Sequence, residues 1–390
     1  MSSLVLFEGQ KGQLVDYELA AKLRELNVCE AQIGSSGKAV LTGFRKIGVI
    51  NYLGKEIEIR PKVAFEQILS LLDPELRSFS NLEADVSLAS SENWTEALAL
   101  FFDLQITRAL VRGPMQGYVE KTESSNTIRG RLEFDSLATP AWTLNTQVTI
   151  THDDFTVNIA ENQLLKTALE VLLATSKLSV KRRNSLRRHL EALEGVSLLE
   201  KHLSSMPQPR NPLYSSYSTA LRTAQLILGG LGVESQLGQF TSSSFLIDMA
   251  QLFEFVIENQ FRDLAKLDNL RFNAQYSDSS LDFQGVFKIR PDYMVFQDGM
   301  PLAIADAKYK VVSSKSDVPT SDINQMLAYC SRFGLYTGHL IYANSPEFFV
   351  DVIGSNVRLF IHELSLGGSR KTIEEKAQAI WKQLVKSGEV

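Results

Sequence analysis

Residues 281 to 310, LDFQGVFKIRPDYMVFQDGMPLAIADAKYK, constrain the fold of this chain more than any other stretch. Phe287 and Ile289 alternate with basic residues, Asp298-Gly299 is a tight-turn dipeptide, and an apolar run follows, so the stretch predicts a β-hairpin. With a side-chain period of two, one face of the second strand carries Leu302, Ile304, Asp306 and Lys308. An apolar row that ends in a carboxylate and an ammonium group indicates a functional site.

A second carboxylate, Asp292, follows Pro291 at the edge of the neighbouring strand, where sheet twist would bring it near Asp306. Two carboxylates and a lysine suit Mg²⁺, which takes one or two protein carboxylates and completes its shell with water and phosphate oxygens. Such an ion activates water while a lysine offsets negative charge, so the implied chemistry is phosphodiester hydrolysis. An isolated Asp-x-Lys is usually a weak surface ion pair. Here its context, with Pro-Asp before and Gln-x-x-x-Tyr after it, favours the functional interpretation.

The motifs Pro291-Asp292, Asp306-Ala307-Lys308 and Gln325 to Tyr329 resemble the PD-(D/E)xK nuclease core in its RecB-like form. The resemblance implies that Asp292 and Asp306 bind the metal and that Lys308 is catalytic. It also implies that Gln325 and Tyr329, four residues apart on one helix face, support the site. A glutamate from an upstream helix often completes the metal shell; Glu254 is the better match, and Glu258 on the same predicted face stays an alternative. The expected cofactor is Mg²⁺, or Mn²⁺ in its place.

A chain of 390 residues is long enough for two or three domains. Strand and helix patterns predict a β-rich module over residues 1–65, a mixed and largely helical region over 66–240, and a restriction-endonuclease-like α/β domain over 241–390. The expected fold class is therefore α+β, or mixed. Within the middle region, a polar loop is predicted over residues 120–128.

The net charge of −5 argues against a chain that coats DNA unaided. Two cysteines, Cys29 and Cys330, are too few for a disulfide framework and lack zinc-ligand spacing. No apolar run approaches the roughly 20 residues that span a bilayer, and the first residues lack a signal-peptide pattern. The sequence therefore predicts a cytoplasmic protein that does not bind a membrane.

Two basic segments leave alternatives open. The densest cluster lies on a predicted helix and comprises Lys177, Lys181, Arg182, Arg183, Arg187 and Arg188. It either tracks a DNA backbone or, as is more common, forms a solvated face balanced by nearby glutamates. Arg129 and Arg131, around Gly130, either meet a phosphate or an acidic partner patch, or pair with adjacent glutamates, which is slightly favoured.

The segments GVINYLGKEIEIRPKV, TIRGRLEF, NQLLKTALEVLL and FLIDMAQLFEFVI precede the nuclease motifs in an order similar to that of the McrC family. Members of that family are nuclease subunits of McrBC-type restriction systems. The resemblance implies a McrB-like AAA+ GTPase hexamer as partner, methylated double-stranded DNA as substrate, and stimulation of the ring's GTP hydrolysis by the N-terminal part of this chain. The sequence contains no G-x-x-x-x-G-K-S/T pattern, so nucleotide hydrolysis is expected of another chain. The loop at 120–128 is a hypothetical pore contact.

Two other functions remain open. One is a non-cleaving adaptor that activates a ring NTPase, which the presence of Asp292, Asp306 and Lys308 disfavours. The other is a stand-alone RecB-like repair nuclease, which a long N-terminal half without helicase or zinc motifs disfavours. The leading expectation is an antiviral, type IV restriction endonuclease subunit.

Overall fold

The computed structural model describes residues 3–8, 12–33, 38–53, 55–63, 94–132, 148–174, 178–199, 217–229, 245–277 and 279–388. Its strands are β1 (Ser3–Phe7), β2 (Gln13–Asp16), β3 (Glu30–Ile33), β4 (Lys38–Thr42), β5 (Lys46–Tyr52), β6 (Lys55–Arg60), β7 (Gly117–Ser125), β8 (Arg131–Leu132), β9 (Val148–Thr156), β10 (Phe245–Asp248), β11 (Arg271–Ala274), β12 (Tyr293–Gln297), β13 (Met300–Val311), β14 (Thr337–Asn344), β15 (Phe348–Asp351) and β16 (Arg358–Glu363). Its α-helices are α1 (Tyr17–Glu25), α2 (Trp94–Ala109), α3 (Ala160–Leu173), α4 (Val180–Ala192), α5 (Tyr217–Gly229), α6 (Met249–Leu267), α7 (Thr320–Phe333) and α8 (Arg370–Gly388).

The described residues are mixed α+β, as the sequence predicts, and fall into two compact units. Those within Met1–Leu98, Gly229–Ser235 and Thr241–Val390 form one unit, and those within Ala99–Leu228 form the other. The division into segments 1–65, 66–240 and 241–390 stays a prediction. Residues 66–93 and 200–216, within the region predicted as largely helical over 66–240, lie outside the described residues.

The N-terminal strands form two small sheets. One has the order β1-β6-β5-β10, and the other has the order β2-β4-β3. Strands β5 and β6 form an antiparallel hairpin on either side of Leu53. The sequence did not predict α1, a nine-residue helix whose short pattern is hidden between strands. It also did not predict that β10, about two hundred residues later, pairs with β5 at the sheet edge.

The second unit contains a long antiparallel ribbon of β7 and β9, paired from Gly117 with Thr156 to Ser125 with Val148. The prediction of a polar loop over 120–128 is therefore wrong for residues 120–125, because these residues belong to strand β7. Gly130 has a φ of +70°, and a Cβ there would lie 2.3 Å from the carbonyl oxygen of Thr151. Only glycine fits this close approach to β9.

The larger sheet has the order β11-β12-β13-β14-β16-β15, with β13, β14 and β16 parallel. Helix α7 packs on one face, where Met326, Tyr329 and Cys330 join Ile304 of β13 in a buried cluster. Helices α6 and α8 cover the other face, where Phe261, Tyr293 and Trp381 form an aromatic cluster. Because both faces are covered, the central strand β13 is buried on both sides.

The predicted hairpin is confirmed in its turn and its second strand, but its first strand begins at Tyr293 rather than near Phe287. Pro291 has no amide proton to donate to a neighbouring strand. The backbone amides of Val286 and Phe287 donate instead to the carboxylate of Asp282, at 3.0 and 2.8 Å. Residues 281–289 therefore form a loop that precedes the strand.

Replacing Gly338 of β14 with alanine is expected to destabilise this unit by about 1–3 kcal/mol. A Cβ at this position would lie 2.6 Å from Met326 Cγ and 2.9 Å from Cys330 Sγ, both on the buried face of α7. Thermal melting would measure the loss. Gly367→Ala is the matched control, because its nearest neighbour is 3.5 Å away, and an equal melting temperature for both variants would contradict the overpacking argument.

Candidate functional site

Asp292 and Asp306 lie side by side on neighbouring antiparallel strands. Tyr293, the first residue of β12, pairs with Ala305 of β13. Asp292, just before Tyr293, therefore lies opposite Asp306, just after Ala305. The Oδ2 atom of Asp292 accepts a hydrogen bond of 2.8 Å from the backbone amide of Ala307. Both aspartates are buried, at 8% and 3% exposure. The structure thus brings together the two carboxylates that the sequence placed at adjacent strands.

Lys308 lies next along the same face of β13 and forms an ion pair with Asp306. Its Nζ atom also donates to Gln325 Oε1, at 2.9 Å. Gln325 Nε2 in turn donates to the hydroxyl of Tyr329, at 2.8 Å, and that hydroxyl donates to the carbonyl of Arg290, at 3.4 Å. The two α7 residues therefore hold the lysine rather than merely packing nearby.

Glu254, rather than Glu258, faces this cluster. Gln275 Nε2 donates to Glu254 Oε2 and to Asp292 Oδ1, both at 2.9 Å, and so bridges the two carboxylates. Glu258, one helical turn further on, is buried and forms an ion pair with Arg262. Gln275 could not be predicted from the sequence as part of this cluster, because it follows β11 and belongs to no local motif.

The cluster carries more negative than positive charge in a buried place. Burial, followed by the charges of Asp306 and Asp248, raises the pKa of Glu254 to about 7. Burial and the charges of Asp306 and Glu254 raise the pKa of Asp292 well above its usual range, and burial also raises the pKa of Asp306. Three carboxyl groups therefore resist ionisation together in the absence of a cation.

The surroundings of Lys308 favour its charged form, whereas those of the three carboxyl groups favour their neutral forms. Burial alone would lower its pKa, but the attraction of Asp306 and Asp292 outweighs burial and raises it. The amine therefore remains an ammonium group at neutral pH. One lysine does not balance three carboxylates, which leaves the cluster suited to a further cation.

The residues fit a divalent ion of the Mg²⁺ type. All candidate ligands are carboxylate oxygens, the donors that Mg²⁺ prefers. Oδ2 of Asp306 is buried and accepts no aligned hydrogen bond, although Lys308 is in ion-pair contact with it. Among the described residues, no three His, Cys, Asp or Glu side chains already converge as a complete metal-ligand set. A site with two carboxylates, completed by water and substrate, does not require such a set.

Tyr309, the residue after Lys308, connects strand β13 to the N-terminal sheet within the same unit. Its hydroxyl donates to Glu8, whose carboxylate also accepts from the Lys62 amide at 3.3 Å. The Lys62 ammonium lies 5.5 Å from the centre of the Tyr309 ring, and Phe253 packs against that ring. Local sequence pattern gives no signal for this contact, which joins residues 301 positions apart.

Tyr309→Phe is expected to lower stability by about 1–3 kcal/mol, because it removes a hydrogen-bond donor from a Glu8 carboxylate that is only 6% exposed. Urea unfolding would measure the loss. Tyr336→Phe removes the same hydroxyl from a side chain that is 65% exposed, and is expected to have no comparable effect. Equal stability of the Tyr309 variant and the wild type would contradict a stabilising role for this contact.

Several arginines of the basic segments in the second unit are paired within the protein. Arg182 forms an ion pair with buried Asp103, and Arg183 donates to the carbonyl of Leu173 at 2.6 Å. Lys181, Arg187 and Arg188 are exposed on α4, whereas Lys177 lies outside the described residues. Arg129 donates to Glu123 at 2.7 Å, which confirms the favoured pairing for this arginine.

No helix among the described residues is both long and apolar enough to cross a membrane. No curated protein matches the chain significantly. Two solved structures resemble it at 14% sequence identity, both from Thermococcus gammatolerans. One is a refined half-complex from a tetradecameric assembly of McrB AAA+ hexamers with bound McrC, with a TM-score of 0.45, covering 98% of this chain and 100% of that chain. The other is the McrBC complex, with a TM-score of 0.37, covering 68% of this chain and 88% of that chain.

Both TM-scores are below 0.5, so these likenesses settle neither fold nor function. A family model, by contrast, shows which family the chain belongs to. The model of the family described as McrBC 5-methylcytosine restriction system component matches residues 44–343, which is well over half of the chain. The matched range includes Glu254, Asp292, Asp306 and Lys308. The chain therefore belongs to the McrBC 5-methylcytosine restriction system component family.

Proposed function

We propose that this chain is the Mg²⁺-dependent DNA endonuclease subunit of a modification-dependent, type IV restriction complex. It cleaves phosphodiester bonds of methylated double-stranded DNA when it is bound to a McrB-like AAA+ GTPase hexamer, and it stimulates GTP hydrolysis by that ring. The observation that carries the proposal is the buried group of Asp292, Asp306 and Lys308, with Glu254 attached through Gln275, in a chain of this family.

Asp292 and Asp306 are the proposed ligands of Mg²⁺, or of Mn²⁺ in its place, with Glu254 as an auxiliary ligand. The bound ion would supply a Lewis acid that lowers the pKa of water and offsets charge on a phosphate. The protein contributes a rigid frame for these ligands. Asp292 is fixed by the Ala307 amide, and Gln275 keeps Glu254 aligned with it.

Lys308 is the proposed catalytic lysine. Its raised pKa keeps it charged, so it suits orientation of a water molecule and stabilisation of phosphate charge better than proton abstraction. Gln325 restricts the amine through a 2.9 Å hydrogen bond, and Tyr329 orients Gln325. In this proposal both α7 residues act by positioning Lys308.

The proposed division of labour follows the three predicted segments. Residues 241–390 form the PD-(D/E)xK nuclease domain. The module at 1–65 and the region at 66–240 together contact the ring and promote its GTP hydrolysis. The acidic composition agrees with a partner that supplies most of the DNA affinity.

The test combines the full chain with its candidate ring partner, GTP and Mg²⁺, on methylated and unmethylated plasmid. The proposal expects cutting of methylated plasmid only, and only with the partner present. Phosphate release from GTP, recorded in the same reactions, is expected to rise when the chain is added.

The alternatives give different results. Cutting without the partner would support a stand-alone repair nuclease. Stimulated GTP hydrolysis without any cutting would support the adaptor function and would contradict an endonuclease role under these conditions.

A further inference from the structure

The loop between β11 and β12 exposes large apolar side chains beside the candidate site. Phe283, Val286 and Phe287 are 107%, 69% and 66% exposed. Phenylalanine and valine are usually buried, and three of them exposed within five residues mark a contact surface. These side chains belong to residues 280–289, the apolar loop.

Hydrogen bonds within the apolar loop and to helix α7 support its backbone. Asp282 accepts from the amides of Val286 and Phe287, and Leu281 donates to the Phe287 carbonyl at 2.9 Å. Arg332 of α7 donates to the Ser280 carbonyl at 2.6 Å and so ties the loop to the same helix that carries Gln325. The apolar side chains are thus presented on a fixed support, which lowers the entropic cost of binding.

The loop leads directly into the candidate site. After Phe287 the chain continues through Lys288, buried Ile289 and Arg290 to Asp292. The Arg290 carbonyl accepts from Tyr329, and the positive charge of Arg290 acts on Glu254. Asp292 is five positions after Phe287, so their Cα atoms lie at most about 18 Å apart. A duplex whose phosphate reaches Asp292 therefore passes within a few base pairs of the loop.

Two observations favour DNA over a protein as the occupant. The two phenylalanines and the valine offer roughly 500 Å², whereas a stable protein interface needs about 800 Å² from each partner. The loop is also followed by Lys288 and Arg290, cations suited to phosphates in a chain whose net charge is −5. Its own acidic residue, Asp282, is engaged by backbone amides.

We infer that the apolar loop is a DNA wedge, in which Phe283 and Phe287 insert between base pairs beside the cleaved phosphodiester while Lys288 and Arg290 contact the backbone. The inference rests on the proposed function. Apolar wedges of this kind unstack a base step and kink the duplex. The wedge would present the scissile strand to Asp292 and Asp306 in a bent form.

Permanganate oxidation of unstacked thymines tests this inference. The full chain with its ring partner and a GTP analogue is bound to a thymine-rich methylated duplex in Ca²⁺, and the cut position is mapped separately in Mg²⁺. Reactive thymines are expected within about five base pairs of the cut. The double variant Phe283→Ala, Phe287→Ala should lose this reactivity and bind about tenfold more weakly, as expected when stacked aromatics are removed.

Two further variants make the result specific. Phe283→Trp keeps an aromatic wedge and should retain the reactive thymines. Ile353→Ala removes an apolar side chain that is 101% exposed on a different turn, and should behave as wild type. Wild-type thymine reactivity in the double alanine variant would overturn the wedge, as would loss of self-association or partner binding with normal thymine reactivity, which would assign the loop to a protein contact.

The outcomes separate the wedge from the proposed function. If the wild type cuts DNA and the double alanine variant is unchanged in both assays, the wedge fails and the endonuclease proposal stands. If the wild type unstacks thymines near the loop but cuts nothing, the wedge stands as a DNA contact and the endonuclease proposal fails. Absence of DNA binding by the wild-type complex overturns both.

Discussion

Asp306→Asn is expected to lower Mg²⁺-dependent DNA cleavage by at least about a thousandfold, since a metal ligand contributes to several kcal/mol of charge stabilisation. The asparagine carbonyl can still accept from Lys308, so the fold should persist. Cleavage rates of methylated plasmid by the complete complex would measure the effect. Stimulation of the partner's GTP hydrolysis should be unchanged, because Asp306 lies outside residues 1–65 and 66–240, which are proposed to contact the ring.

Asp298→Asn is the matched control for this experiment. It makes the same chemical change on the same hairpin, at an exposed turn position with a φ of +51° that asparagine tolerates. Wild-type cleavage by the control is expected. Near-normal cleavage by the Asp306 variant would remove this residue from the site and contradict the proposed ligand set.

Glu254→Gln is expected to stabilise the metal-free protein at pH 8 by up to about 3 kcal/mol and to weaken its response to Mg²⁺. The pKa of this glutamate is raised from 4.5 to about 7, chiefly by burial and then by Asp306 and Asp248. Between these pH values the folded state holds a proton that the unfolded state has released, so wild-type stability falls as pH rises through this window. Glutamine cannot ionise, so the stabilisation should be complete above about pH 7 and absent below about pH 4.5.

Glu258→Gln on the same helix is the matched control. Glu258 is 3% exposed and is paired with Arg262, so its replacement should destabilise the protein without changing the effect of Mg²⁺. Melting temperatures at pH 5 and pH 8, with and without Mg²⁺, would distinguish the two glutamates. A loss of the Mg²⁺ response in the Glu258 variant alone would reverse the assignment.

The approach of Asp292 to Asp306 was predictable only as far as both residues lie on adjacent strands of one hairpin, whose turn is Asp298-Gly299. The exact register was not predictable, because a bulge between Val295 and Phe296 shifts the pairing by one residue and so places Tyr293 opposite Ala305. The helical spacing of Gln325 and Tyr329 was equally local. These features depend on residues close in sequence, where periodicity and turn chemistry are informative.

The remaining features depend on long-range packing. Gln275 reaches Glu254 and Asp292 across 21 and 17 residues, and no motif marks it. Whether Glu254 or Glu258 faces the cluster depends on how α6 packs against the sheet. The sequence pattern does not distinguish the two glutamates, because they lie one turn apart on the same face of the predicted helix. The contact of Glu8 with Tyr309, across 301 residues, has no local signature either.

The apolar loop shows where alternation misleads. Residues Phe287 to Arg290 alternate as a strand would, but they pair with residues 279–281 of the same loop, through a bridge between Ser280 and Lys288, and Asp282 accepts from the amides of Val286 and Phe287. A side-chain acceptor thus competes with sheet formation. As a result, residues 281–289 form an exposed loop next to the carboxylates rather than an extension of the hairpin.

Anomalous scattering from crystals soaked in Mn²⁺ tests most directly whether the buried carboxylates form a metal centre. A single strong peak is expected between the carboxyl groups of Asp292 and Asp306, about 2 Å from an oxygen of each, and it should be absent from crystals of the Asp306→Asn variant. Mn²⁺ bound only elsewhere, with no density between the two aspartates, would contradict the account.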